Sequence, residues 1–340
     1  MRPEVIQAEP DFQNTYLNLF TSMLGDPDFD FGRFEQRVEE FMIKVKDFLK
    51  IRDRGINPTR STHNLPDASD CKKIQKLYRN NRRKALRVVL GNDANFCDLD
   101  PDEVASHYTI ADPVGDGDHE YLKDYTCAQS AMCEDAFSRR ELRGKLFACE
   151  NTSPGPDGVS YKGWRMVDRK AKVLTVIYNI CKFYRRIPNS WKETSTILIF
   201  KKGDRAMPSN WRPIALGNTI YKLYASCLGT RLSKWLENNG VLSPCQKGFL
   251  PHDGVFENNY VVDQRMRKAK LNRKDICLAS LDVSNAFGTL PHWAIFNALT
   301  SIGVGEEFVE ILLLAYRLRS KCSICSYQLN FYVRFSFFYR

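Results

Sequence analysis

Residues 275–292 read DICLASLDVSNAFGTLPH, and the first half of this stretch alternates between two sets of side chains. Successive side chains of a β-strand point to opposite faces, so the alternation predicts an extended strand that is mostly buried. One face would carry Cys277, Ala279, Leu281 and Val283, and the other would carry Leu278, Ser280, Asp282 and Ser284.

Asp282 would then be a carboxylate near the end of a mostly buried strand. An ionised carboxylate is costly there unless it is paired or binds a metal. For an isolated aspartate at a strand end, capping of the next turn or helix is the more common role. Here a helix-compatible segment follows at once, and Phe287 lies five residues further on. These residues alone leave both a structural cap and a metal ligand open.

The overall composition favours a globular protein with a polyanionic partner. The chain has 340 residues, a formal net charge of +10 and a pI near 9.0. This length can bury more than one hydrophobic core, so two or three subdomains are expected. The excess of basic residues favours a polyanion as partner. The eleven cysteines are scattered and odd in number, which argues against a disulfide framework.

The sequence shows no targeting signal of the secretory or membrane type. The opening residues, MRPEVIQAEPDF, contain no apolar run of the signal-peptide type. No segment offers the roughly eighteen apolar residues of a membrane span. We therefore expect a protein of the nucleus or cytoplasm, which are reducing compartments, with no membrane partner.

The N-terminal third is expected to be a helical extension. Residues 1–33 show no strong period and are predicted to be a loose leader. Apolar residues then recur at helical spacing from Phe34 to Arg52, which predicts an amphipathic helix. A linker containing glycine and proline follows, up to Asp70.

Residues 71–90 are predicted to form a basic helix with an apolar side that includes Tyr78. Cations that meet phosphates release counterions, so such a helix can contact a nucleic-acid backbone. A solvated charged face explains the pattern equally well. The cations available for such contacts include Lys76, Arg79, Arg82, Arg83 and Lys84.

Three local signals follow along the chain. Ser138 and Glu141 have the spacing of a capping box, which predicts the start of a helix. Residues 151–158 contain two prolines and two glycines, which predicts a turn of fixed shape. Residues 194–200 and 211–216 are β-rich and predict a hairpin. The cations of this hairpin are Lys201, Lys202, Arg205 and Arg212. They either keep the hairpin tip solvated or bind an incoming polyphosphate.

Six segments, spread over about 140 residues, match one protein family in the right order. Together they make the chain resemble the reverse transcriptases of non-LTR retrotransposons, above all those of elements that insert into ribosomal RNA genes. The resemblance implies an α+β fold: a partial right-hand polymerase, with fingers and an incomplete palm, preceded by a helical, basic N-terminal extension. The segments are SPGPDGVS (Ser153–Ser160), ILIFKKGD (Ile197–Asp204), NWRPIAL (Asn210–Leu216), QKGF (Gln246–Phe249), GVFENN (Gly254–Asn259) and LDVSNAFG (Leu281–Gly288).

The resemblance also implies roles for single residues. DNA polymerisation is an in-line phosphoryl transfer assisted by two Mg²⁺ ions. The first metal ligand of the family matches Asp282, and the backbone carbonyl of Val283 assists it. Phe287 matches the aromatic gate that excludes a 2′-hydroxyl. Lys201 and Arg212 match fingertip cations that hold the dNTP triphosphate.

The same resemblance implies contacts with the nucleic acids. Gln246 and Gly248 match a turn that lies near the template. The basic helix within residues 71–90 is similar to the extension that such enzymes use to hold template RNA. The implied partners are therefore a template RNA, a DNA target or primer, and dNTPs.

The family pattern is incomplete after Asp282. The second metal site needs an Asp-Asp pair, and the chain contains no such dipeptide; its later carboxylates are Glu306, Glu307 and Glu310. Residues 320–340 contain seven aromatic residues and no acid, and their one CxxC pair lacks the second pair of a zinc site. We therefore expect the sequence after about Arg319 to be unrelated to the family.

These observations predict four regions. They are a leader (1–33), a helical extension (34–128), the fingers with the first palm strand (129–319) and an unrelated tail (320–340). The expected function is that of an RNA-directed DNA polymerase fragment that lacks its Asp-Asp pair and is inactive as it stands. A non-catalytic RNA-binding protein that uses the basic helix and the fingers is the alternative, and a destabilised remnant without function is a third.

Overall fold

The computed structural model describes residues 9–51, 71–80, 99–108, 132, 135–250, 253–282, 292–316, 319–324 and 327–331. These residues combine helices with one four-stranded sheet. The helices are α1 (Glu9–Leu24), α2 (Phe31–Phe48), α3 (Cys71–Asn80), α4 (Pro101–Tyr108), α5 (Arg139–Ala148), α6 (Tyr161–Val167), α7 (Lys172–Phe183), α8 (Thr219–Asn238), α9 (Gly254–Leu271), α10 (His292–Ser301) and α11 (Glu306–Tyr316). The strands are β1 (Glu193–Phe200), β2 (Trp211–Gly217), β3 (Arg319–Ile324) and β4 (Tyr327–Phe331).

The N-terminal helices α1 and α2 belong to the main hydrophobic core. Phe20 of α1 and Phe41 of α2 are fully buried, and their rings meet edge to face at 6.0 Å. Gln13 ties α1 to α6 by donating to the backbone oxygen of Val167 at 2.8 Å. The loose leader predicted for residues 1–33 is therefore wrong from Glu9 onward. Aromatic residues at helical spacing decide the structure here, and the Gly- and Asp-rich residues 25–30 form only the connection between α1 and α2.

Helix α7 lies at the centre of this core. Most of its side chains are buried. Because water cannot reach the start of such a helix, its open N–H groups need a hydrogen-bond acceptor from the protein. The carboxylate of Asp168 accepts hydrogen bonds from the backbone N–H groups of Lys172 and Leu174, both at 2.9 Å. These two bonds satisfy donors that a helix start leaves open. Burial raises the pKa of Asp168, although these backbone donors oppose the rise.

The predicted capping box is confirmed at the start of α5. Ser138 Oγ accepts from the N–H of Glu141 at 3.2 Å, and the Glu141 side chain accepts in return from the N–H of Ser138. Arg231 of α8 holds the same carboxylate through two bonds of 2.8 and 2.9 Å. Although burial opposes it, the pKa of Glu141 lies below its ordinary value, because Arg231 stabilises the charged form. One carboxylate thus caps α5 and attaches it to α8.

The predicted hairpin is confirmed as β1 and β2, which pair antiparallel from Thr194 opposite Gly217 to Phe200 opposite Trp211. The full strand order is β2-β1-β3-β4, with β3 parallel to β1 and β4 antiparallel to β3. Strands β3 and β4 therefore extend the sheet that contains the hairpin. The segment expected to be an unrelated tail (320–340) thus contributes two strands to this sheet.

The strand predicted over residues 275–283 is absent over residues 275–282, where the backbone is irregular. The side chains there are exposed, and Leu281 retains 94% of its accessible surface. An alternating pattern is only a local signal, and a strand also needs a neighbour that accepts its backbone hydrogen bonds. The sheet of the described residues consists of β1 to β4 and offers residues 275–282 no such pairing.

Membrane insertion finds no support in the described helices. None of them combines the length and the apolar composition that crossing a bilayer requires.

Replacing Phe41 by Ala should lower the free energy of unfolding by about 3–5 kcal/mol, because a fully buried ring leaves a cavity among other aromatic rings. Ile43→Ala on the same helix is the matched control, since Ile43 is 58% exposed. Its expected effect is within about 0.5 kcal/mol. Urea denaturation of both variants measures the difference, and equal small effects would show that α2 does not pack in the core.

Candidate functional site

The β1–β2 hairpin, which we call the fingertip hairpin after the role predicted for its cations, places two of the predicted nucleotide-binding residues on one face. Arg212 lies opposite Ile199 in the ladder, and both side chains are exposed. Lys201 follows β1 directly and is also exposed, and alternation from Ile199 puts it on the same face. The opposite face is the packed one, with Thr196 and Trp211 buried. The structure thus brings Lys201 and Arg212 together on the solvent side of the hairpin.

The tip of the hairpin is held in shape by its own backbone. The N–H of Lys201 donates to the oxygen of Asn210 at 2.8 Å, and the Asn210 amide donates to the oxygen of Asp204 at 2.8 Å. Gly203 adopts a φ of +94°, a conformation that disfavours any residue with a side chain. Arg205 lies over the ring of Phe200, with its guanidinium carbon 4.6 Å from the ring centre. Lys202 is exposed.

The SPGPDGVS segment forms a turn that locks onto the end of β2. Gly155 lies so close to it that an added Cβ would approach the backbone of Gly217 and Asn218 to 2.4 Å. The side-chain oxygen of Asn218 accepts from the N–H of Asp157 at 3.2 Å. Its amide nitrogen donates to the oxygen of Ser190 at 3.0 Å, so Asn218 joins three segments. The turn has the fixed shape that its prolines and glycines predict.

A buried chain of hydrogen bonds continues this junction into α8. Thr219 Oγ1 donates to the backbone oxygen of Val159 at 2.6 Å and accepts from the indole nitrogen of Trp164 at 2.9 Å. Thr219, Val159 and Trp164 are all buried. A hydroxyl that both donates and accepts in the core satisfies its polar capacity and fixes its neighbours. We call the contact of residues 153–160 with residues 217–222 the β2–α8 junction.

The β2–α8 junction encloses one carboxylate, that of Asp157. One oxygen accepts from the N–H of Val159 at 3.0 Å, whereas Oδ2 is buried without a hydrogen-bond partner among the described groups. Burial raises the pKa of Asp157 to about 6, although the positive charges of Lys46 and Lys222 lower it in part. Lys222 donates to the oxygen of Ser153 at 3.1 Å, and burial lowers its pKa.

Asp282 is described, but a metal site around it is not assembled. It lies exposed in the irregular segment. Within the described ranges, no three His, Cys, Asp or Glu side chains come together in a way that could hold a metal ion. The donor set of these residues therefore does not fit Mg²⁺. Val283 and Phe287 lie outside the described residues, so the roles expected for all three stay predictions.

The later carboxylates are engaged elsewhere. Arg185 pairs with Glu310 at 3.1 Å and also forms an ion pair with Glu307. These pairs attach α11 to the residues that follow α7. They also direct two of the three acids that follow Asp282 towards a structural contact.

The residues expected to lie near the template occupy a turn before α9. Gln246 donates from its side chain to the backbone oxygen of Gly248 at 3.0 Å, which closes the turn on itself. Lys247 pairs with Glu257 of α9 at 2.6 Å and so fixes the turn to the helix. Gln246 and Gly248 are exposed, but no described contact tests their role.

Part of the predicted basic helix is seen as α3, in which Lys76 and Arg79 are exposed. The remaining cations expected on this helix, Arg82, Arg83 and Lys84, lie outside the described residues.

A comparison with known proteins gives a family match that begins near the end of β1 and includes β2 and the segments after it. Residues 199–335 match the family model of the reverse transcriptase (RNA-dependent DNA polymerase). The predicted resemblance to the reverse transcriptases of non-LTR retrotransposons is confirmed. The match includes Lys201, Arg212 and Asp282, whereas the SPGPDGVS turn and the basic helix precede it. It also runs to residue 335, so the expectation that residues 320–340 are unrelated to the family fails for most of that segment.

Three curated relatives place the resemblance among R2-type elements. The chain is 24% identical over 72% of its length to the retrovirus-related Pol polyprotein from type-1 retrotransposable element R2 of Nasonia vitripennis. It is 30% identical over 53% of its length to that from type-2 retrotransposable element R2DM of Drosophila melanogaster. It is 28% identical over 74% of its length to the type-1 R2 protein of Bradysia coprophila. It spans 23%, 16% and 30% of these three relatives, respectively, and so less than a third of each.

Sequence reasoning missed the β2–α8 junction within this reverse transcriptase-like chain. It recognised the SPGPDGVS turn and the NWRPIAL strand but gave no role to Asn218, Thr219 or Lys222. The Asn-Thr pair that follows the strand is a signal for a helix start. Nothing local indicates that this helix start also binds a turn some sixty residues earlier in the chain.

Asp157→Asn should remove a pH dependence of stability. A carboxyl whose pKa rises from 3.8 to about 6 on folding stabilises the folded state at low pH, and this stabilisation is lost as the pH rises through about 6. Relative to the Asp157→Asn variant, wild type should therefore lose on the order of 2–3 kcal/mol between about pH 4 and pH 7.

Urea denaturation across this pH range measures that difference. Asp11→Asn is the control, because Asp11 is exposed on α1, and it should leave the pH profile of wild type nearly unchanged. Parallel profiles for wild type and Asp157→Asn would contradict a buried, titrating carboxyl in the β2–α8 junction.

Proposed function

We propose that this chain is part of an RNA-directed DNA polymerase of a non-LTR retrotransposon related to elements that insert into ribosomal RNA genes. It would supply the fingers and an incomplete palm of a right-hand polymerase, preceded by a helical, basic extension. The observation that carries the proposal is the fingertip hairpin, where Lys201 and Arg212 share one exposed face inside the segment that matches the family model.

The chemistry of these two cations suits a nucleoside triphosphate. A guanidinium can bind two phosphate oxygens at once, whereas a lysine ammonium is a compact point charge. Arg212 extends from a paired strand, and Lys201 from the hydrogen-bonded base of the tip, so the backbone is fixed at both positions. Phe287 would then select the sugar, and Gln246 and Gly248 would face the template strand.

In this proposal the chain by itself does not synthesise DNA. Its sequence lacks the Asp-Asp pair, and within the described residues Asp282 has no companions that could hold a metal. Glu307 and Glu310 are paired with Arg185 and offer no substitute. Magnesium therefore remains a family expectation, and we derive no catalytic step from it. We place the protein in the nucleus or the cytoplasm, where template RNA and dNTPs are available.

The purified chain should not incorporate dNTPs on a primed RNA template above background. The measurement is primer extension with labelled dNTPs in the presence of Mg²⁺ or Mn²⁺, with Asp282→Ala as the matched variant. Incorporation by wild type that disappears in Asp282→Ala would contradict the proposed inactivity, because it would reveal a working metal site at this carboxylate.

A second candidate function is RNA binding without catalysis, and α3 favours it. This helix presents Lys76 and Arg79 to solvent, and Tyr78 on the same helix is also exposed. A basic helix with an aromatic residue provides both charge and a stacking surface for RNA. This function needs no metal, so the incomplete acidic site would not affect it.

The double substitution Lys76→Gln and Arg79→Gln should weaken RNA binding and flatten its salt dependence. Each lost phosphate contact lowers the slope of log K against log salt by about 0.7–0.9, so the pair should lower it by about 1.5. Lys268→Gln with Lys270→Gln on α9 removes the same charge from another exposed helix and is the control. Fluorescence anisotropy over a salt series measures both slopes, and an unchanged slope in the α3 variant would place RNA binding elsewhere.

A further inference from the structure

A groove with a volume of about 630 Å³ runs along one side of α5 and is distinct in its residues from the fingertip hairpin and from α3. One wall is a single face of α5, and the other is the turn that leads into α7. The described lining is basic, with one aromatic ring, and consists of Arg139, Arg140, Arg143, Gly144, Phe147, Lys170 and Lys172.

The two walls of this α5 groove are held together by Arg165 of α6. Its guanidinium donates to the backbone oxygen of Leu146 at 3.0 and 3.1 Å and also to that of Cys149. These carbonyls belong to the open end of α5, which lacks partners within the helix. The C-terminal end of α5 is therefore fixed relative to α6 and to the turn that carries Lys170. The groove is part of the folded framework.

Five cations line the α5 groove, and its described lining contains no acid. The nearest acids along the chain make their hydrogen bonds outside the groove: Glu141 is held by Arg231, and Asp168 caps α7 while its charge also acts on Lys172. Among the described residues, none of the five cations has a carboxylate within ion-pair distance. The mutual repulsion of five such charges is relieved when an anion binds.

The position of the arginines on α5 also favours the binding of an anion. Arg139 and Arg140 occupy the first turn of the helix, where the exposed N–H groups create a positive potential. Cations are unfavourable there, and acids such as Glu141 are the stabilising choice. The positive potential at the helix start therefore does not favour the two arginines. A bound anion does, because it would meet the side-chain charges and the positive helix end together.

Phe147 indicates how the anion is contacted. Its ring is 44% exposed, but guanidinium groups of Arg143 and Arg165 lie 5.4 and 5.8 Å from its centre. The ring therefore orients two arginines by cation–π contacts and is not a free platform for a nucleobase. Contact with a sugar-phosphate backbone fits this arrangement better than readout of unstacked bases.

We propose that the α5 groove binds the sugar-phosphate backbone of a double-helical nucleic acid, such as the stem of an RNA hairpin. A duplex presents a dense, regular row of phosphates, and five cations on two fixed walls can neutralise several of them at once. Binding of this kind is independent of base sequence. The proposal does not rest on polymerase chemistry, and a chain without dNTP incorporation would still bind through this surface.

The test is a triple substitution on the wall that α5 provides: Arg139→Gln, Arg140→Gln and Arg143→Gln in the full chain. Glutamine keeps a high helix propensity, and removing cations from a helix start does not destabilise it, so the melting temperature should not fall. The matched control is Arg265→Gln, Lys268→Gln and Lys270→Gln on α9, which removes the same charge from exposed positions.

The probes are a labelled RNA hairpin and a DNA duplex of the same sequence, titrated over a salt series. In the α5 variant the Kd for the hairpin should rise on the order of tenfold or more, and the salt slope should fall by about 2 to 3. The control should change both quantities by much less. An equal rise of Kd in the α5 variant and in the control would show that only net charge matters, and this would overturn the proposal. An unchanged Kd in the α5 variant would overturn it directly.

Two further measurements distinguish which polyanion binds the α5 groove. A similar loss of affinity for the RNA hairpin and the DNA duplex in the α5 variant supports contact with the sugar-phosphate backbone of any duplex. A loss of affinity for the RNA hairpin alone supports backbone contact with an A-form stem. Vesicles that contain an anionic lipid test the other polyanion, since a loss of vesicle binding with intact hairpin binding would replace the proposal by a membrane surface. Combination with Lys76→Gln and Arg79→Gln should give additive losses if α3 and the α5 groove are separate surfaces.

Discussion

The hydroxyl of Thr219, which joins the backbone of Val159 to the indole of Trp164, is the contact on which the described domain depends. It lies where strand β2 ends and helix α8 begins, so it fixes the direction of both elements. Gly155 allows the preceding turn to approach within van der Waals contact of the same point. The helical core and the sheet are thereby connected through buried polar bonds, which demand a single geometry more strictly than apolar packing does.

This connection relates the candidate nucleotide site to the core. Arg212 lies near the start of β2, and Asn218 and Thr219 follow the end of that strand. A change in the β2–α8 junction would therefore tilt the whole hairpin, including its exposed cationic face. Asp157 adds a cost to this arrangement, because one of its carboxyl oxygens is buried there without a hydrogen-bond partner among the described residues.

The sequence predicted those elements whose signals are local. The hairpin of β1 and β2, the capping box of Ser138 and Glu141, and the turn at residues 151–158 all depend on neighbouring residues and were found. Helix α1 was missed because a cluster of glycine and aspartate near residue 26 outweighed the helical spacing of Phe12, Tyr16 and Phe20. The strand expected around Asp282 failed because alternation cannot supply a pairing partner. The β2–α8 junction and the α5 groove bring together residues distant in the chain, and no local pattern encodes such contacts.

The parallel pairing of β1 with β3 has a consequence for the order of folding. Thr194 lies beside Ser320, so this ladder closes only after the long segment between these two residues has been synthesised. Closing so long a loop carries an entropic cost that local contacts do not bear, and pairings of this kind form slowly. The N-terminal helices and the β1–β2 hairpin can assemble beforehand. During that interval one edge of β1 exposes unpaired backbone groups, which leaves the hairpin open to pairing with strands of other chains.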